Sequence, residues 1–236
     1  MVMEAKAVLK ELKALGDAGY RKILLNHGAQ PDCFGVKIPE MKKILKRSGA
    51  DHALALELYR SGNYDAMYLA GLMADDRHMT PRELQEWVAR ASPPLAASTV
   101  AWVAAGSGHG WEVAQKWIDS NQELVAAAGW STLTSLVSIT PDVAMDLPGL
   151  ERLLKRVQAH IHSAPNEVRR RMNGFVIAVG SYVAPLTKAA LAAGKKIGSV
   201  TVDVGNTACE VPGVAEAIGK VAARGTIGRK RPGAKC

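Results

Sequence analysis

The sequence predicts an all-α protein in which short antiparallel helix pairs stack into a superhelix. Apolar residues recur at spacings of three and four along most of the 236-residue chain, which is typical of amphipathic helices. The helical segments are about ten to fifteen residues long, and brief turns with Gly, Pro or Asp separate them. No fixed-period motif accompanies them, so the predicted repetition is structural. We expect a single helical-repeat domain over residues 1–236 that ends in a basic tail over residues 225–236.

Proline and capping residues mark where several of the helices begin. Pro39 is placed to open one helix, and Thr80 followed by Pro81 and Glu83 predicts an N-cap with proline at the first helical position. Pro165 precedes a basic helix that we expect to end near residue 183. These signals predict the starts of three helices.

One segment departs from the helical pattern. Near residues 197–211, Val200, Val202 and Val204 alternate with polar residues, which indicates a short strand or an extended loop. We expect this segment to lie across the end of the stack. A last helix is predicted from about Val214 to Ala223, and it leads into the basic tail.

Charge is distributed unevenly along the chain. Residues 1–60 carry eleven Lys and Arg against seven Asp and Glu, residues 61–150 carry four against ten, and residues 151–236 carry fifteen against five. The net charge of +8 is therefore concentrated in the two ends. Such a distribution favours a polyanion as the ligand, and nucleic acid is the leading candidate.

The basic residues form clusters that can neutralise several phosphates at once. Three consecutive arginines follow Pro165, but successive helical residues point about 100° apart, so only part of this cluster can face one ligand. If the second helices of successive pairs line a concave face, that face can follow a duplex backbone without entering a groove. The residues that we expect to contact DNA are Lys37, Lys42, Lys43, Lys46, Arg169, Arg170, Arg171, Asn173, Lys195, Lys196, Arg229, Lys230 and Arg231.

The composition is that of an ordinary soluble chain, with 48% hydrophobic and 5% aromatic residues. No stretch approaches the roughly 18 apolar residues of a membrane span, and the charged N-terminal segment does not resemble a signal peptide. Cys33, Cys209 and Cys236 show no disulfide spacing, which fits a reducing compartment. We expect a cytoplasmic protein that binds no membrane; a monomer is favoured, although the sequence leaves the oligomeric state open.

Known catalytic and cofactor-binding motifs are missing from the sequence. It contains no GxSxG, no GxxxxGK[ST], no HExxH and no dinucleotide-binding glycine pattern. His160 and His162 would diverge by about 200° on a helix and could not chelate one metal ion. The spacing of Cys209 and Cys236 gives no support to a zinc site. We predict no cofactor and no bound metal.

Several blocks of the sequence resemble a known family. FGVKIPEMKKILK at residues 34–46 and LYRSGNYDAMYLAGLMADDRHMTPRELQEWV at residues 58–88, in this order, are similar to blocks of the bacterial DNA alkylation repair proteins, which consist of HEAT-like helical repeats. VRRRMNGFVIAVGSYVAPLT at residues 168–187 and VTVDVGNTACEVPG at residues 200–213 resemble a subgroup of that family. The resemblance implies a right-handed superhelix of the HEAT/armadillo type.

The resemblance also implies a chemistry. Glycosylase members of the family remove cationic alkylated purines from a duplex without flipping the damaged base. It implies an Asp that stabilises positive charge developing on the deoxyribose, two Trp that pack on the sugar, and an Arg that anchors the backbone.

This chain departs from the family at those positions. Where the family has a Trp-x-x-x-Asp element, the chain has Pro94 and Ser98, and where the family has Trp-x-x-Arg, residues 122–128 read QELVAAA without an arginine. A serine hydroxyl has no formal charge and cannot stabilise an oxocarbenium ion as an ionised carboxylate does. We therefore expect weak or no glycosylase activity by the family's mechanism, assign no catalytic residue, and leave open whether the protein is an enzyme.

Five acidic residues of the middle section are candidates for a replacement acid. Each also suits a structural role, since acids near helix N-termini interact favourably with the helix dipole. Asp65 is expected to be a helix-surface or a repeat-supporting residue, and Asp119 is expected to pair locally with Lys116. The five candidates are Asp65, Asp75, Asp76, Asp119 and Glu123.

The five tryptophans all lie between residues 87 and 130. Trp117 and Trp130 have apolar neighbours at helical spacing, so we expect them in the core. Trp102 and Trp111 flank the GSGHG segment and are the better candidates for exposed rings that stack on nucleic acid.

Taken together, the residues and the resemblance predict a DNA-binding protein of the DNA alkylation repair type. Its expected partner is duplex DNA, alkylated or intact, held on a basic concave face. Two alternatives stay open: an active alkylpurine glycosylase that uses a non-standard acid, and a helical-repeat scaffold that binds protein or RNA.

Overall fold

A computed structural model describes residues 4–205 and 207–235. It confirms the predicted fold class: the protein is all-α, with 71% of the chain in helices and no strand among the residues that the structure describes. The chain forms two compact units. Unit 1 contains residues 4–109 together with 205, 207 and 235, and unit 2 contains residues 110–204 and 208–234. Whether they act as the single domain expected from the sequence stays a prediction.

Unit 1 is built from short helices. They are α1 (Ala5–Ala14), α2 (Ala18–Asn26), α3 (Ile38–Ser48), α4 (His52–Arg60), α5 (Tyr64–Met73), α6 (Pro81–Arg90), α7 (Pro93–Leu95) and α8 (Ala101–Gly106), with a 3-10 turn at Asp76–His78 and a π-helical turn at Ala96–Val100. The predicted starts of α3 and α6 are confirmed. Thr80 and Glu83 form a reciprocal capping box at the start of α6, and Pro39 lies in the first turn of α3.

Helix α5 is the centre of unit 1. All ten of its residues are buried, and α4 packs against it. A helix that is apolar on every side is stable only inside a core. Tyr59 and Trp87 add a stacked ring pair with centroids 3.9 Å apart, and the Tyr59 hydroxyl donates a hydrogen bond to the Trp87 carbonyl at 2.8 Å.

A buried carboxylate joins α5 to the loop that precedes α3. Asp65 is fully buried, and its two oxygens accept hydrogen bonds from the backbone N–H groups of Phe34, Gly35 and Val36. Gly35 has φ +81°, and a Cβ there would collide with the backbone of Asp17 and of Arg21, so only glycine fits. The expectation that Asp65 supports the repeat is confirmed. It also explains physically why the two sequence blocks at residues 34–46 and 58–88 belong together.

Unit 2 is built around two long helices. Its helices are α9 (Gly110–Ile118), α10 (Glu123–Ile139), α11 (Leu147–His160), α12 (Asn166–Tyr182), α13 (Thr187–Ile197) and α14 (Val214–Ala223), with 3-10 turns at Asp142–Ala144, Ile161–Ser163 and Ala184–Leu186. Helix α10 packs against α9 and α12, and α12 packs against α13 and α14. The rings of Trp130 and Phe175 meet in this core with centroids 5.2 Å apart.

The segment after α13 is an extended loop. No strand is formed in its described part, so of the two sequence-based alternatives the loop is correct. Asn166, at the start of α12, holds this loop through two hydrogen bonds of 2.8 Å with the backbone of Asp203. The last helix has the predicted bounds, Val214–Ala223.

The basic tail is folded onto unit 2 over residues 225–234, whereas Lys235 belongs to unit 1. The tail's backbone N–H groups at Gly228 and Arg231 donate to the carbonyls of Ser181 and Ser138, both at 2.8 Å. These two carbonyls lie in the last turns of α12 and α10, where carbonyl groups have no hydrogen-bond partner within their own helix. The tail therefore caps the C-terminal ends of both long helices.

No single helix in the described residues is long and apolar enough to cross a bilayer. Two consecutive helices, Asn166–Tyr182 and Ala184–Ile197, are long and apolar enough only when they are taken together, and the chain bends by 114° between them.

Candidate nucleic-acid interface

The three arginines of α12 are used mainly inside unit 2. Arg169 donates to the Thr201 carbonyl at 2.9 Å and to the Ala164 carbonyl at 3.0 Å. Arg171 forms an ion pair with Glu167 at 3.0 Å, in which both side chains are about four-fifths buried, at 23% and 18% exposure. Burial lowers the pKa of Arg171, and the charge of Glu167 opposes that effect. Only Arg170 makes no hydrogen bond or ion pair with another described residue, so it is the arginine of this run that remains available to a ligand.

Asn173 lies in the core and must be removed from the set of predicted DNA contacts. It is 2% exposed, and its side-chain amide donates to the Pro212 carbonyl at 2.9 Å. A buried amide that already has a backbone partner cannot turn to a phosphate without losing that bond.

Lys230 is likewise committed to internal contacts. Its ammonium donates to the carbonyls of Val137 and Tyr182 at 3.0 and 2.6 Å and pairs with Asp142 at 2.8 Å. A lysine at the C-terminal ends of two helices satisfies carbonyls that have no partner and interacts favourably with both helix dipoles. Lys230 is thus part of the structure that holds the tail in place.

The tail and α12 enclose a groove in unit 2, which we call the tail groove. It has a volume of about 680 Å³. Five of its residues are cationic, and no acidic residue lines it. The lining residues are Thr134, Gly174, Ile177, Ala178, Ser181, Tyr182, Ala217, Lys220, Val221, Arg224, Thr226, Arg229, Lys230, Arg231 and Pro232.

Three of the five cations of the tail groove keep their charge uncompensated. Lys220 pairs with Glu216 on its own helix at 2.6 Å, and Lys230 is held by Asp142. The side chains of Arg224, Arg229 and Arg231 make no ion pair with a described carboxylate. The last two of these arginines were predicted from the sequence as DNA contacts; Arg224, the C-cap residue of α14, was not, because it belongs to no cluster of basic residues.

The remaining predicted cations of unit 2, Lys195 and Lys196, are exposed in the last turn of α13. Neither forms an ion pair with a residue in the described ranges. Because they lie at a helix C-terminus, part of their role is electrostatic support of the helix.

In unit 1, the predicted lysines of α3 divide into two groups. Lys37 lies 3.5 Å from Asp17, and Lys43 pairs with Glu40 at 2.8 Å. Lys42 and Lys46 are one helical turn apart, exposed, and unpaired with any carboxylate that the structure describes.

A further cationic surface on α1 was not predicted as a site. Lys6, Lys10 and Lys13 line one groove of about 460 Å³ in unit 1, together with Phe34 and Asp32. Their spacing of four and three residues puts them on one helix face, which is a signal that the sequence contains. No two of these lysines are adjacent in the sequence, so they form no run of consecutive basic residues.

The five candidate acids all have structural partners. Asp65 binds the loop before α3, and Asp75 caps a 3-10 turn through the N–H of Arg77. Burial raises the pKa of Asp76, while Lys235 at 2.7 Å lowers it.

The other two acids belong to unit 2. Asp119 pairs with Arg156 at 2.6 Å, so the predicted pair with Lys116 is wrong. Glu123 accepts a hydrogen bond from the backbone N–H of Glu167 at 2.7 Å and so caps the start of α12.

The segment that the resemblance places opposite the family's Trp-x-x-x-Asp element contains a π-helical turn. Ser98 lies within Ala96–Val100, and its hydroxyl donates to the Pro94 carbonyl at 2.7 Å. The hydroxyl proton is therefore directed at the helix backbone. Neither Pro94 nor Ser98 carries a negative charge that could stabilise a cationic sugar.

The tryptophans other than Trp111 lie in the cores of the two units. Trp117 and Trp130 are 1% and 0% exposed, as predicted. Trp102 is 9% exposed and meets Tyr68 edge to face, so its predicted exposure is wrong. Trp111 is partly exposed and lines a separate groove of about 520 Å³ in unit 2.

Residues that could hold a metal ion are not clustered. Within the described ranges, no group of three or more His, Cys, Asp and Glu has a suitable arrangement. Cys236, which was considered with Cys209 for a zinc site, lies outside the described residues.

The succession of packed helices defines an all-α protein of the HEAT-like repeat class. Residues 8–202 match the model of a family described as DNA alkylation repair enzyme. The chain therefore belongs to the DNA alkylation repair family.

Three proteins are similar to this chain. One solved structure superimposes with a TM-score of 0.92 and 35% sequence identity, covering 99% of this chain and all of the other; that protein is described as one of a new family related to the HEAT-like repeat DNA glycosylases with affinity for branched DNA structures. An uncharacterized protein of Listeria innocua is 33% identical over 208 residues, which is 86% of this chain and 90% of that protein. Its counterpart in Listeria monocytogenes is 32% identical over the same coverage.

Proposed function

We propose that this protein binds DNA, branched DNA in particular, and releases little or no alkylated base. Family membership supports a role on DNA, and the described affinity of the structural relative for branched structures favours that form of the ligand. Duplex arms are the part of such a ligand that the basic surfaces contact. The proposal treats the monomer as the active form, which sedimentation of the free and the DNA-bound protein tests.

The observation that carries the proposal is the charge of the tail groove. Its lining includes five cations and no acid, and three of the cations have no carboxylate partner among the described residues. Phosphate contacts of this kind release counterions from DNA, which gives affinity that is largely independent of sequence and falls steeply with salt. Arginines also bind phosphate through two parallel N–H groups, which gives the contact a defined geometry.

Other cations extend the proposed interface. In unit 2 these are Arg170, Lys195 and Lys196, and in unit 1 they are the lysines of α1 together with the unpaired Lys42 and Lys46 of α3. Within each unit the residues are accessible without breaking an internal contact. That both units contact one DNA molecule stays a prediction.

The surroundings of Ser98 support the proposal that little or no alkylated base is released. An ionised carboxylate is required where positive charge develops on the sugar, and the chain has a serine bonded to its own helix there. Each of the five acids that could replace it already has a partner in the fold. Recruiting one of them would leave an N–H group or a cation without that partner.

The test combines binding and catalysis. Labelled linear duplex and a three-way junction of equal total length are titrated at about 50 and 200 mM salt, and release of 7-methylguanine is measured on the same protein preparation. We expect binding with a steep salt dependence, tighter binding of the junction, and no base release above the buffer control.

Each alternative function predicts a different result. Base release that disappears on Glu123→Gln would establish an active glycosylase with a non-standard acid. Failure to bind any DNA at the lower salt concentration would refute the proposal and favour the scaffold that binds protein or RNA.

A further inference from the structure

We infer that the tail groove binds an unpaired DNA strand, such as the single-stranded arm of a fork, in preference to the flank of a duplex. This inference rests on the proposed DNA-binding function and adds to it the structural state of the strand. The groove has two parts with different chemistry, an apolar floor and a cationic rim.

The floor is one face of α12 together with the facing side of α14. Gly174, Ile177, Ala178 and Ser181 follow each other at helical spacings of three and four, so they share a face, and Val221 lies opposite on α14. Small side chains dominate this face. A Cβ added at Gly174 would meet no atom within 4 Å, so the floor is open to a planar group at that point.

The rim supplies the charge. Arg224 closes the end of α14, and Arg229 and Arg231 stand on the tail. The tail is held to the C-terminal ends of α10 and α12 by the backbone N–H groups of Gly228 and Arg231 and by the ammonium of Lys230. Because the backbone of the tail is held in place before a ligand arrives, little backbone conformational entropy is lost when the ligand binds.

An unpaired strand matches both parts, whereas a duplex matches only one. The bases of a duplex are covered by their partners and its phosphates face outward, so an apolar floor gains nothing from it. A single strand offers phosphates to cations and base faces to apolar or aromatic side chains, and each stacked base contributes about 1–3 kcal/mol in single-strand binders. Tyr182, which is partly exposed in the groove, provides the aromatic ring.

A second groove in unit 2 shows the contrast. It contains Trp111, but its two arginines are neutralised: Arg156 pairs with Asp119 at 2.6 Å and Arg152 pairs with Asp146 at 3.2 Å. That groove has an aromatic wall without available positive charge. Of these two grooves of unit 2, the tail groove is the one that combines an apolar surface with cations that have no described carboxylate partner.

The size of the tail groove limits the length of strand that it can take. A volume of 680 Å³ falls within the range of about 300–1,000 Å³ that is usual for ligand sites. The groove therefore accommodates a few nucleotides, and the binding energy is expected to saturate with a short arm.

The decisive experiment separates bases from phosphates. Forked duplexes are prepared with a single-stranded thymidine arm of roughly six nucleotides or with an abasic arm of the same length, and both are compared with the blunt duplex by fluorescence anisotropy. We expect the thymidine arm to bind at least about tenfold more tightly than the abasic arm. Equal affinity for the two arms would overturn the inference.

A pair of glycine variants tests the location. Gly174→Leu places a side chain on the open floor, and Gly219→Leu places the same side chain on α14 outside the groove, where a Cβ also meets nothing. Both positions are helical, so neither change needs an unusual backbone conformation. Gly174→Leu is expected to remove the preference for the thymidine arm over the abasic arm, and Gly219→Leu is expected to retain that preference. Retention of the preference in Gly174→Leu would refute the assignment to this groove.

The possible failures are distinguishable. If junction and duplex bind with a steep salt dependence while the arm's bases make no difference, the inference fails and the proposed function stands. If none of the DNA ligands binds, both fail. Tighter binding of a uridine RNA arm than of the thymidine arm would overturn the assignment to DNA.

Discussion

The arginines of α12 and the arginines of the tail look alike in the sequence and differ completely in the structure. In α12, Arg169 and Arg171 are taken up by internal carbonyls and by Glu167, and only Arg170 is left. In the tail, Lys230 is taken up in the same way, while Arg229 and Arg231 on either side of it are left uncompensated. Each cluster is thus partly structural, but only the tail presents its remaining charges in a groove.

The comparison teaches that the density of charge along a chain does not measure the charge that a ligand meets. A basic side chain stays available to a ligand only where the fold places no carbonyl or carboxylate within hydrogen-bonding distance of it. The extended loop brings the Thr201 carbonyl to Arg169, and the helix periodicity brings Glu167 to Arg171. In the tail, the carbonyls at the ends of α10 and α12 accept hydrogen bonds from Lys230 and from backbone N–H groups. The side chains of the flanking Arg229 and Arg231 form no ion pair with a carboxylate that the structure describes.

The largest expected effect is on DNA affinity when the charges of the tail groove are reversed. The triple variant Arg224→Glu, Arg229→Glu and Arg231→Glu should weaken binding of the three-way junction about 100-fold, because three phosphate contacts become repulsive. Thermal unfolding should change little. Binding isotherms at constant salt measure the effect.

The matched control for that variant has the same change in net charge. Lys22, Lys155 and Lys188 are exposed and lie outside the tail groove, so their joint change to Glu preserves the groove. If the control variant lost as much affinity as the triple variant, the tail groove would have no special role.

The second prediction concerns stability in α12. Arg171→Ala should lower the free energy of unfolding by about 1–3 kcal/mol, because Glu167 is left without its partner in a mostly buried position. DNA affinity should stay within a factor of about two. Urea denaturation measures the loss, and Arg170→Ala on the same helix is the control that should leave stability unchanged. A large loss of DNA affinity in Arg171→Ala would contradict the internal role.

The third prediction is the equivalent test in the tail. Lys230→Ala should destabilise unit 2 by about 1–2 kcal/mol, because the carbonyls of Val137 and Tyr182 lose a charged donor. Arg229→Ala, one residue away, should have no measurable effect on stability. Equal melting temperatures for the two variants would show that Lys230 does not fasten the tail.

The smallest expected effect is a pH dependence in unit 1, where charge is used for helix capping. Partial burial opposes ionisation of Glu83, but the hydrogen bonds from the Thr80 backbone and hydroxyl outweigh it, so the pKa of Glu83 lies below the usual 4.5. The cap therefore stabilises the folded state above the usual pKa, and this contribution is lost as the pH falls through the lowered folded pKa.

Thr80→Ala should remove about 0.5–1 kcal/mol at neutral pH and less at pH values below the folded pKa. Unfolding curves collected along a pH series measure the difference, and Thr80→Ser serves as the control that retains the hydroxyl. A loss from Thr80→Ala that is independent of pH would exclude Glu83 from the effect.

The sequence predicted those features that depend on neighbouring residues. The helix starts at Pro39 and Thr80, the last helix at Val214–Ala223 and the buried Trp117 and Trp130 are all consequences of local pattern. The sequence also predicted that the segment near residues 197–211 is not helical, and left open whether it forms a strand or a loop.

The features that the sequence did not predict depend on residues that are distant along the chain. Asn173 meets the Pro212 carbonyl 39 residues later, and Lys230 meets the Val137 carbonyl 93 residues earlier. Asp119 finds Arg156 and not the nearby Lys116. Such contacts follow from how helices pack, which a periodicity cannot specify. The lysine stripe of α1 was in principle readable, since its spacing of four and three is local.

The carboxylate of Asp65 has a consequence for how the protein opens. The backbone N–H groups of Phe34, Gly35 and Val36 lie outside any helix, yet all three point at one buried acceptor. Their deuterium uptake should therefore be slow and nearly synchronous, and it should accelerate at all three positions when the loop leaves α5. The neighbouring Cys33 thiol, whose pKa burial and the charge of Asp65 raise to about 11, should become accessible to thiol-specific labels in the same opening event.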